Sequence, residues 1–268
     1  MADSYVSSLG SENLIVPVKA STVFHAQEAS IFMSGQLVPL IAAPTGSVKV
    51  PTLLTAVSAE SIGGSLTGDL ANQAITDTAT VINCDVFGSR SVVRDLGNID
   101  ANEIGRLLGN AVAKAFDASI FTALDSATAS IDSVPMTVDL CFDAAAQIRG
   151  AGEMGALYGF LTPAQATVVL KEIGTAAYAG GDFQGQALMN GYIGMLGGVQ
   201  WFMSSNITTA DTAGYVFGAD AMRIAMQRNV DVEVARRAEA VGFDVVASLL
   251  AAGALVDASR AVKLINVA

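Results

Sequence analysis

The chain has 268 residues, of which 52% are hydrophobic and only 15% are charged. A soluble monomer usually carries about a quarter charged residues, so the deficit indicates that much of the surface contacts other protein; an enzyme with a large alanine-rich core is the alternative. The net charge of −11 argues against proteins that grip a nucleic-acid backbone, which need clustered lysine and arginine.

Membrane and secretory signals are not evident in the sequence. The most apolar run, residues 240–256, contains Asp244, Ser248 and two glycines, which is untypical of a membrane-spanning helix. The first residues have no basic stretch followed by an apolar core, so no secretory signal is predicted. Cys84 and Cys141 are far apart and form no CxxC pair, which predicts reduced, buried thiols.

The N-terminal region is predicted to be an extended arm. Residues 1–19 are polar and weakly patterned, and the stretch LIVPVKA (14–20) favours a short edge strand interrupted by Pro17. Ser21 is positioned to cap a short helix over residues 21–33. Two prolines, Pro39 and Pro44, then favour extended chain.

A long two-stranded hairpin is predicted next. Residues 47–57 and 76–93 are rich in β-branched side chains, and the second strand is expected to bulge or bend at Gly88. The polar, glycine-rich residues 58–73 between them predict a flexible tip. Because an isolated hairpin is only marginally stable in water, it should lie on its own domain or on a neighbouring subunit.

The longest predicted helix covers residues 98–126 and should lie across a sheet. Its apolar stripe repeats every fourth residue and creeps around the helix. The stripe consists of Ile104, Leu108, Val112, Phe116, Ile120 and Leu124, widened by Leu107, Ala111, Ala115 and Ala118. The opposite, polar side carries Glu103, Arg106, Asn110, Lys114 and Asp117.

The second half of the chain mixes short helices and strands. Residues 127–135 are predicted to be a linker, and a helix beginning at Val138 is closed by glycines. Thr162 and Pro163 predict the start of a helix that ends at Gly174. The glycine-rich residues 175–198 are predicted to form a loop. Strands are predicted over residues 156–161, 199–204 and 213–217 and through most of the C-terminal fifth, where Val230, Val232 and Val234 alternate with polar or small residues.

Motifs for catalysis or metal binding are not predicted. The single histidine, His25, excludes paired-histidine metal sites, and no GxSxG motif supplies a nucleophilic serine. Gly150, Gly152 and Gly155 match GxGxxG, but a helix precedes them and a strand follows, the reverse of a dinucleotide site. A helix stop and a turn are therefore predicted there, and no catalytic, cofactor-binding or metal-binding residue is assigned.

Charged pairs have plain structural interpretations. Asp139 and Asp143 lie one turn apart on a predicted helix and are expected to face solvent, because no third ligand accompanies them. Arg236 and Arg237 lie on a predicted strand, so their side chains should point to opposite faces. A subunit contact, or a salt bridge to Glu233 or Glu239, is expected for this doublet.

The order of elements resembles that of tailed-bacteriophage major capsid proteins, which have the Hong-Kong-97-type fold. The resemblance covers nearly the whole chain. It is carried by YGFLTPAQATVVLKEIG (158–174), by NGYIGMLGGVQWFMSSNI (190–207) and by VEVARRAEAVGFDVVASLLAAGALVDASRAVKLI (232–265). These segments are similar to the family's strand and helix, return strand, and paired C-terminal strands with a closing strand.

The resemblance implies an α+β capsid fold with a defined division of the chain. Its implied parts are an N-arm (1–36), an extended hairpin or E-loop (37–83), a peripheral domain with the spine helix (84–130), an axial domain (131–225), peripheral-domain strands (226–256) and a closing strand of the axial domain (257–268). The glycine-rich loop would point to the five-fold and six-fold axes, and the polar side of the spine helix to the shell interior.

The implied function is structural rather than enzymatic. Copies of the chain would form hexamers and pentamers of an icosahedral shell in the virion, assembled in the host cytoplasm, around DNA that is not specifically bound. A portal and a separate scaffolding protein are the implied partners, since the chain enters the arm at once; no membrane and no cofactor are implied. Lys49, the only hairpin lysine, lies near the hairpin base, so the family's lysine–asparagine cross-link is not expected. An encapsulin-type nanocompartment and, less favoured, a metabolic α/β enzyme are the alternatives.

Overall fold

A computed structural model describes residues 11–53, 77–94, 101–132, 136–174, 192–208 and 212–265. Within these ranges the chain forms four α-helices and twelve strands. The helices are α1 (Ser11–Ala29), α2 (Ala101–Leu124), α3 (Val138–Gly150) and α4 (Pro163–Gly174). The strands are β1 (Leu40–Ala42), β2 (Ser47–Leu53), β3 (Asp77–Asn83), β4 (Asp85–Arg94), β5 (Ala129–Asp132), β6 (Leu157–Leu161), β7 (Tyr192–Leu196), β8 (Val199–Met203), β9 (Thr212–Gly218), β10 (Met222–Arg237), β11 (Gly242–Leu255) and β12 (Ala261–Ile265).

A four-stranded sheet forms one half of the subunit, in the order β1-β10-β11-β4. The two long strands β10 and β11 are antiparallel, and β1 runs parallel to β10. Val230 and Val232 are buried while Glu233 is exposed, which confirms the predicted strand with one apolar face. Helix α2 lies across the buried face of this sheet.

Helix α2 confirms the predicted long helix, with bounds slightly inside the predicted 98–126. By length and composition it could cross a membrane. However, half of its most apolar 18-residue stretch is buried inside the structure, as in the core helix of a soluble protein. The predicted widening of the apolar stripe is wrong for Leu107, Ala111 and Ala115, which are exposed. Asp117, predicted on the polar side, is instead fully buried because residues 30–33 lie over it.

Helix α1 replaces the predicted edge strand at residues 14–20 and extends from Ser11 through Pro17 to Ala29. The prediction that the helix begins at Ser21 is therefore wrong. Two glycines of α2 let α1 approach closely: a Cβ at Gly105 would lie 2.6 Å from Ser21 Cβ, and one at Gly109 would lie 2.6 Å from the carbonyl oxygen of Thr22. Such contacts are sterically forbidden, so only glycine allows the two helices to pack at this distance.

A six-stranded sheet forms the other half, in the order β5-β12-β9-β6-β8-β7. Helices α3 and α4 cover one face, and their core includes Ile148, Val169 and Trp201. The other face carries aromatic side chains that join the core under α2. The ring centroids of Phe121 on α2 and Phe160 on β6 lie 5.4 Å apart. The two halves therefore share one apolar core.

Several short elements differ from the sequence-based prediction. The predicted linker 127–135 contains strand β5, and the predicted loop 175–198 contains strand β7. The strand predicted over residues 76–93 is divided at Cys84 into β3 and β4, rather than bent at Gly88. The whole predicted hairpin tip, residues 58–73, and residues 175–191 of the loop lie outside the described residues.

Candidate assembly surfaces

The residues considered for chemistry lie apart from one another. His25 Nδ1 lies 3.4 Å from Glu28 Oε2, and its ring contacts Phe24 edge-on. Within the part of the chain that the structure describes, no group of three or more His, Cys, Asp or Glu side chains could hold a metal ion. Cys84 and Cys141 are free thiols, and burial raises the pKa of Cys141 to about 12, so this thiol is protonated at neutral pH.

The glycine motif forms a turn, in agreement with the prediction. Helix α3 ends at Gly150, and Gly152 adopts a φ of +88°. The Glu153 carboxylate, which is 3% exposed, accepts a hydrogen bond from the Gly155 N–H at 2.6 Å and lies 3.2 Å from Nη1 of Arg260. The turn is thus stabilised by a partly buried ion pair with Arg260, which directly precedes β12, and the sequence pattern did not identify this role of Glu153.

The remaining charged candidates are surface features. Asp139 and Asp143 are both exposed on α3. Arg237 lies 3.9 Å from Glu239, which confirms one of the two predicted salt bridges. The guanidinium of the neighbouring Arg236 lies over the ring of Phe243, 4.9 Å from its centroid, in a cation–π contact. The two arginines therefore have different partners.

The hairpin of β2 and β3 is attached to the subunit mainly at its base. The two strands pair antiparallel from Ser47 opposite Asn83 to Leu53 opposite Asp77, and within the described residues they form a two-stranded sheet without a third strand. Ile82 is buried with Ala43 and Ala225 on β10, and this small cluster anchors the base.

The paired strands of the hairpin leave apolar and polar side chains exposed. Val81 is 48% exposed, and Lys49 and Pro51 of the paired strand are also exposed. Because a lone hairpin is marginally stable in water, a hairpin attached at one end is typical of a segment completed by another protein surface.

The outer face of the four-stranded sheet is a second candidate surface. Strand β4 is the last strand in the described sheet, so its backbone groups on one side are open to pairing. Val86 on β4 is 68% exposed and lies opposite Leu250 on β11, while Val92 lies opposite Asp244. An open edge next to exposed valines favours contact with another chain.

The same outer face also carries charged side chains. Nε of Arg90 donates to Oδ1 of Asp244 at 2.7 Å, and a second bond joins Nη2 to Oδ2. These bonds from Arg90 lower the pKa of Asp244 below its ordinary value, so the pair is fully charged at neutral pH. Arg228 donates to the Ser248 hydroxyl at 2.8 Å on the same pair of long strands.

Helix surfaces also expose apolar side chains. On α1, Val16 is 70% exposed and Phe24 is 60% exposed, and on α2 Leu107 is 57% exposed. Single exposed apolar residues are normal on protein surfaces. Their distribution over two helices, the hairpin and the sheet nevertheless agrees with the low charge of the chain, and it gives the subunit several separate faces for contact.

The sequence itself has no recognised match. No protein-family model and no curated protein matches the chain. Solved structures do match. The capsid structure of the cyanophage P-SCSP1u is 18% identical and aligns with a TM-score of 0.67 over 89% of this chain and 88% of that one.

The chain has the phage capsid fold. A structure from Mycobacterium phage Che8 is 19% identical, with a TM-score of 0.64 over 82% of this chain and 84% of that one. A virus-like particle from Pyrococcus furiosus is 9% identical, with a TM-score of 0.68 over 93% of this chain and 98% of that one. These likenesses confirm the fold class predicted from the order of elements.

Proposed function

We propose that the chain is the major capsid protein of a tailed phage, whose copies form the hexamers and pentamers of an icosahedral shell around DNA. The observation that carries the proposal is the hairpin of β2 and β3, which, within the described residues, is anchored mainly at its base in a chain with the phage capsid fold. A neighbouring subunit would provide the surface that the hairpin lacks. No enzymatic role is proposed.

Assembly from such a subunit relies on several modest contacts. The hairpin, the open edge at β4 and the helix faces can each engage a different neighbour, and contacts made together by one subunit reinforce each other through high effective concentration. Few charged groups need to be dehydrated at these faces, because only 15% of the residues are charged. A closed shell can therefore be stable although each interface is small.

The acidic composition suits a container for DNA. With a net charge of −11 the subunit would repel rather than hold the packaged nucleic acid, which must enter and later leave the shell. We therefore propose that DNA is enclosed without specific binding. Shells that, once opened, retain DNA at physiological salt would contradict this part of the proposal.

The division of the chain follows the same reasoning. We propose an N-arm (1–36), an extended hairpin (37–83), a peripheral domain (84–130 and 226–256) and an axial domain (131–225 and 257–268). The four-stranded and six-stranded sheets support the last two parts, although β10 crosses the boundary at residue 225. A portal and a scaffolding protein are proposed partners, with the shell assembling in the host cytoplasm and residing in the virion.

Deletion of residues 58–72 tests the proposed role of the hairpin. The deletion removes the segment that would reach a neighbour and spares the paired strands at the base, so the subunit should stay folded but form no closed particles. Negative-stain imaging and light scattering would detect particles, and circular dichroism would verify folding. Gly150→Ala, outside the hairpin, is the control and should give normal shells, because a Cβ there meets no atom within 4 Å. Normal shells from the deletion would refute the proposal.

A second candidate function is a nanocompartment that houses protein. It is favoured by the virus-like particle from Pyrococcus furiosus, whose chain is matched over 98% of its length. Particles purified from the native source would distinguish the two functions by their contents, because DNA supports the capsid and a packaged protein supports the nanocompartment. A compact species of about one to four chains would contradict both and favour a metabolic enzyme.

A further inference from the structure

Asp117 is a fully buried carboxylate where three parts of the subunit meet. Its Oδ1 atom accepts a hydrogen bond from the Ser30 hydroxyl at 2.6 Å, and its Oδ2 atom accepts one from the Ile31 N–H at 3.2 Å. On the other side, Nδ2 of Asn206, in the turn after β8, lies 3.5 Å from Oδ2. The carboxylate therefore links helix α2 to the chain after α1 and to the six-stranded sheet.

The N-terminal segment, defined here as residues 11–36, seals this carboxylate from water. Ser30 and Ile31 belong to it, and the buried ring of Phe32 lies 5.5 Å from the ring of Phe121 on α2. Helix α1 of the same segment lies against α2 at Gly109. If the segment left α2, Asp117 would lose the donors of Ser30, Ile31 and Phe32 and become hydrated.

A compensating positive charge is missing among the described residues around Asp117. The charged groups of the surrounding elements are engaged elsewhere, or exposed in the case of Lys114, and the turn 204–208 contains none. Burial raises the pKa of Asp117 to about 6, although the hydrogen bonds from Ser30, Ile31, Phe32 and Asn206 act in the opposite direction. The engaged pairs are Lys19–Asp231, His25–Glu28, Arg106–Glu103 and Lys263–Asp125.

We propose that Asp117 is a proton-linked latch, which holds the N-terminal segment on helix α2 more tightly when its carboxyl is protonated than when it is ionised. The neutral carboxyl can keep its contact with Ser30 by reversing that bond: Asp117 donates its proton to the Ser30 oxygen, which already accepts from the Met33 N–H at 3.2 Å and has a second lone pair, and the Ser30 hydroxyl turns its own proton away. The ionised form accepts the bonds described above but carries an unpaired charge in an apolar surrounding, which favours release of the segment.

The direction and size of the effect follow from proton linkage. The pKa is about 6 when the segment is docked and returns toward its ordinary value of 3.8 when water reaches the carboxyl. The docked state therefore binds the proton more strongly, and its extra stability is complete below the lower value and lost as the pH rises through about 6. Between about pH 8 and about pH 5 the docking equilibrium should strengthen about tenfold.

Hydrogen exchange of the full-length chain tests the latch. Protection factors, which divide out the intrinsic pH dependence of exchange, would be measured for peptides covering residues 18–33 at about pH 5 and about pH 8. Light scattering would establish that the assembly state is the same at both pH values. The expected result is about tenfold higher protection at the lower pH, and equal or reversed protection would overturn the proposal without any variant.

Two substitutions separate the latch from a general pH effect. Asp117→Asn keeps the shape and removes the charge, so protection should become independent of pH and match that of the wild type at low pH. Asp231→Asn is the matched control, because Asp231 also holds the N-terminal segment through Lys19, at 2.6 Å, but Lys19 lowers its pKa out of this range. Asp231→Asn should reduce protection equally at both pH values and keep the tenfold difference. A pH dependence that survives in Asp117→Asn would overturn the proposal.

Discussion

Gly109 shows how one residue determines the distance between two helices. A methyl group there would lie 2.6 Å from the carbonyl oxygen of Thr22 and 3.0 Å from the amide nitrogen of Ala26, both on α1. Backbone atoms cannot move aside as a flexible side chain can, so helix α1 itself would have to shift. The glycine therefore contributes to stability by its lack of a side chain, despite the low helix propensity of glycine.

We predict that Gly109→Ala lowers the free energy of unfolding by about 1–3 kcal/mol, the usual range for an overpacked site. Urea unfolding of dissociated subunits, followed by circular dichroism, would measure the loss. Gly150→Ala is the matched control, because a Cβ at Gly150 meets no atom within 4 Å. Its stability should stay close to that of the wild type, and equal stability of the two variants would contradict the close approach of α1.

Glu153 is a second residue whose importance depends on a distant partner. Its buried carboxylate joins Arg260, which is 35% exposed and also lies 3.0 Å from Asp257. We predict that Glu153→Ala lowers the free energy of unfolding by about 2–3 kcal/mol. The loss is smaller than for a fully buried ion pair, because Arg260 keeps Asp257 as a partner and remains partly hydrated. Urea unfolding would measure this loss. Glu103→Ala breaks an exposed pair with Arg106 and should change stability little, so equal losses would contradict the prediction.

At the level of elements, the sequence predicted what regular patterns encode. An apolar residue at every fourth position predicted α2, and the alternation of valines with polar or small residues over Val230–Val234 predicted β10. Helix α1 was mispredicted because its two sides do not differ clearly: it buries Val18 and Ala26 but exposes Phe24. Pro17 added a misleading signal, although a helix tolerates proline at a local cost.

Short elements and surfaces could not be predicted from local sequence patterns, because they depend on contacts between residues far apart in the chain. Strand β5 is four residues long and becomes a strand by pairing with β12, far away in the chain. The burial of Asp117 likewise depends on residues 30–33, so the polar pattern on α2 alone could not show it. Of the candidate assembly surfaces, the hairpin was predictable from its β-branched strands, whereas the open edge at β4 required the order of the sheet.

The outer face of β4 allows an element-level test of assembly. We predict that Val86→Lys leaves subunit stability within about 0.5 kcal/mol of the wild type, since the side chain is largely exposed, but strongly reduces particle yield. A lysine ammonium at a subunit contact would have to be dehydrated without a partner. Val86→Thr keeps the shape and adds only a neutral hydroxyl, so it should reduce the yield much less than Val86→Lys. Sedimentation and negative-stain imaging would measure yield, and unchanged yield for Val86→Lys would exclude this face from the contacts.

At the scale of the whole molecule, the shared aromatic core couples the two sheets. Phe121 on α2 contacts Phe160 on β6 and stacks at 6.0 Å on Tyr215 on β9, while the same helix covers β11. Movement of one sheet against the other would break these contacts. The subunit is therefore expected to act as one rigid body, with its adaptable parts at the hairpin and the N-terminal segment.

The net charge of −11 controls how such rigid bodies meet. Copies of the chain repel one another at long range, and added salt shortens that range from about 10 Å at 0.1 M to about 3 Å at 1 M. If the contacts between subunits are mainly apolar, as the exposed valines indicate, salt screens the repulsion between the acidic subunits and leaves the apolar contacts intact. We predict that assembly from dissociated subunits becomes faster as sodium chloride rises from about 0.05 to about 0.5 M.

Static light scattering after mixing would measure the assembly rate at each salt concentration. Asp143→Lys is the matched variant, because Asp143 is exposed on α3 and the exchange of one negative for one positive charge changes the net charge from −11 to −9. It should assemble faster than the wild type at low salt and depend less on salt. A wild-type rate that falls with salt would mean that attraction between opposite charges, rather than apolar contact, drives the subunits together.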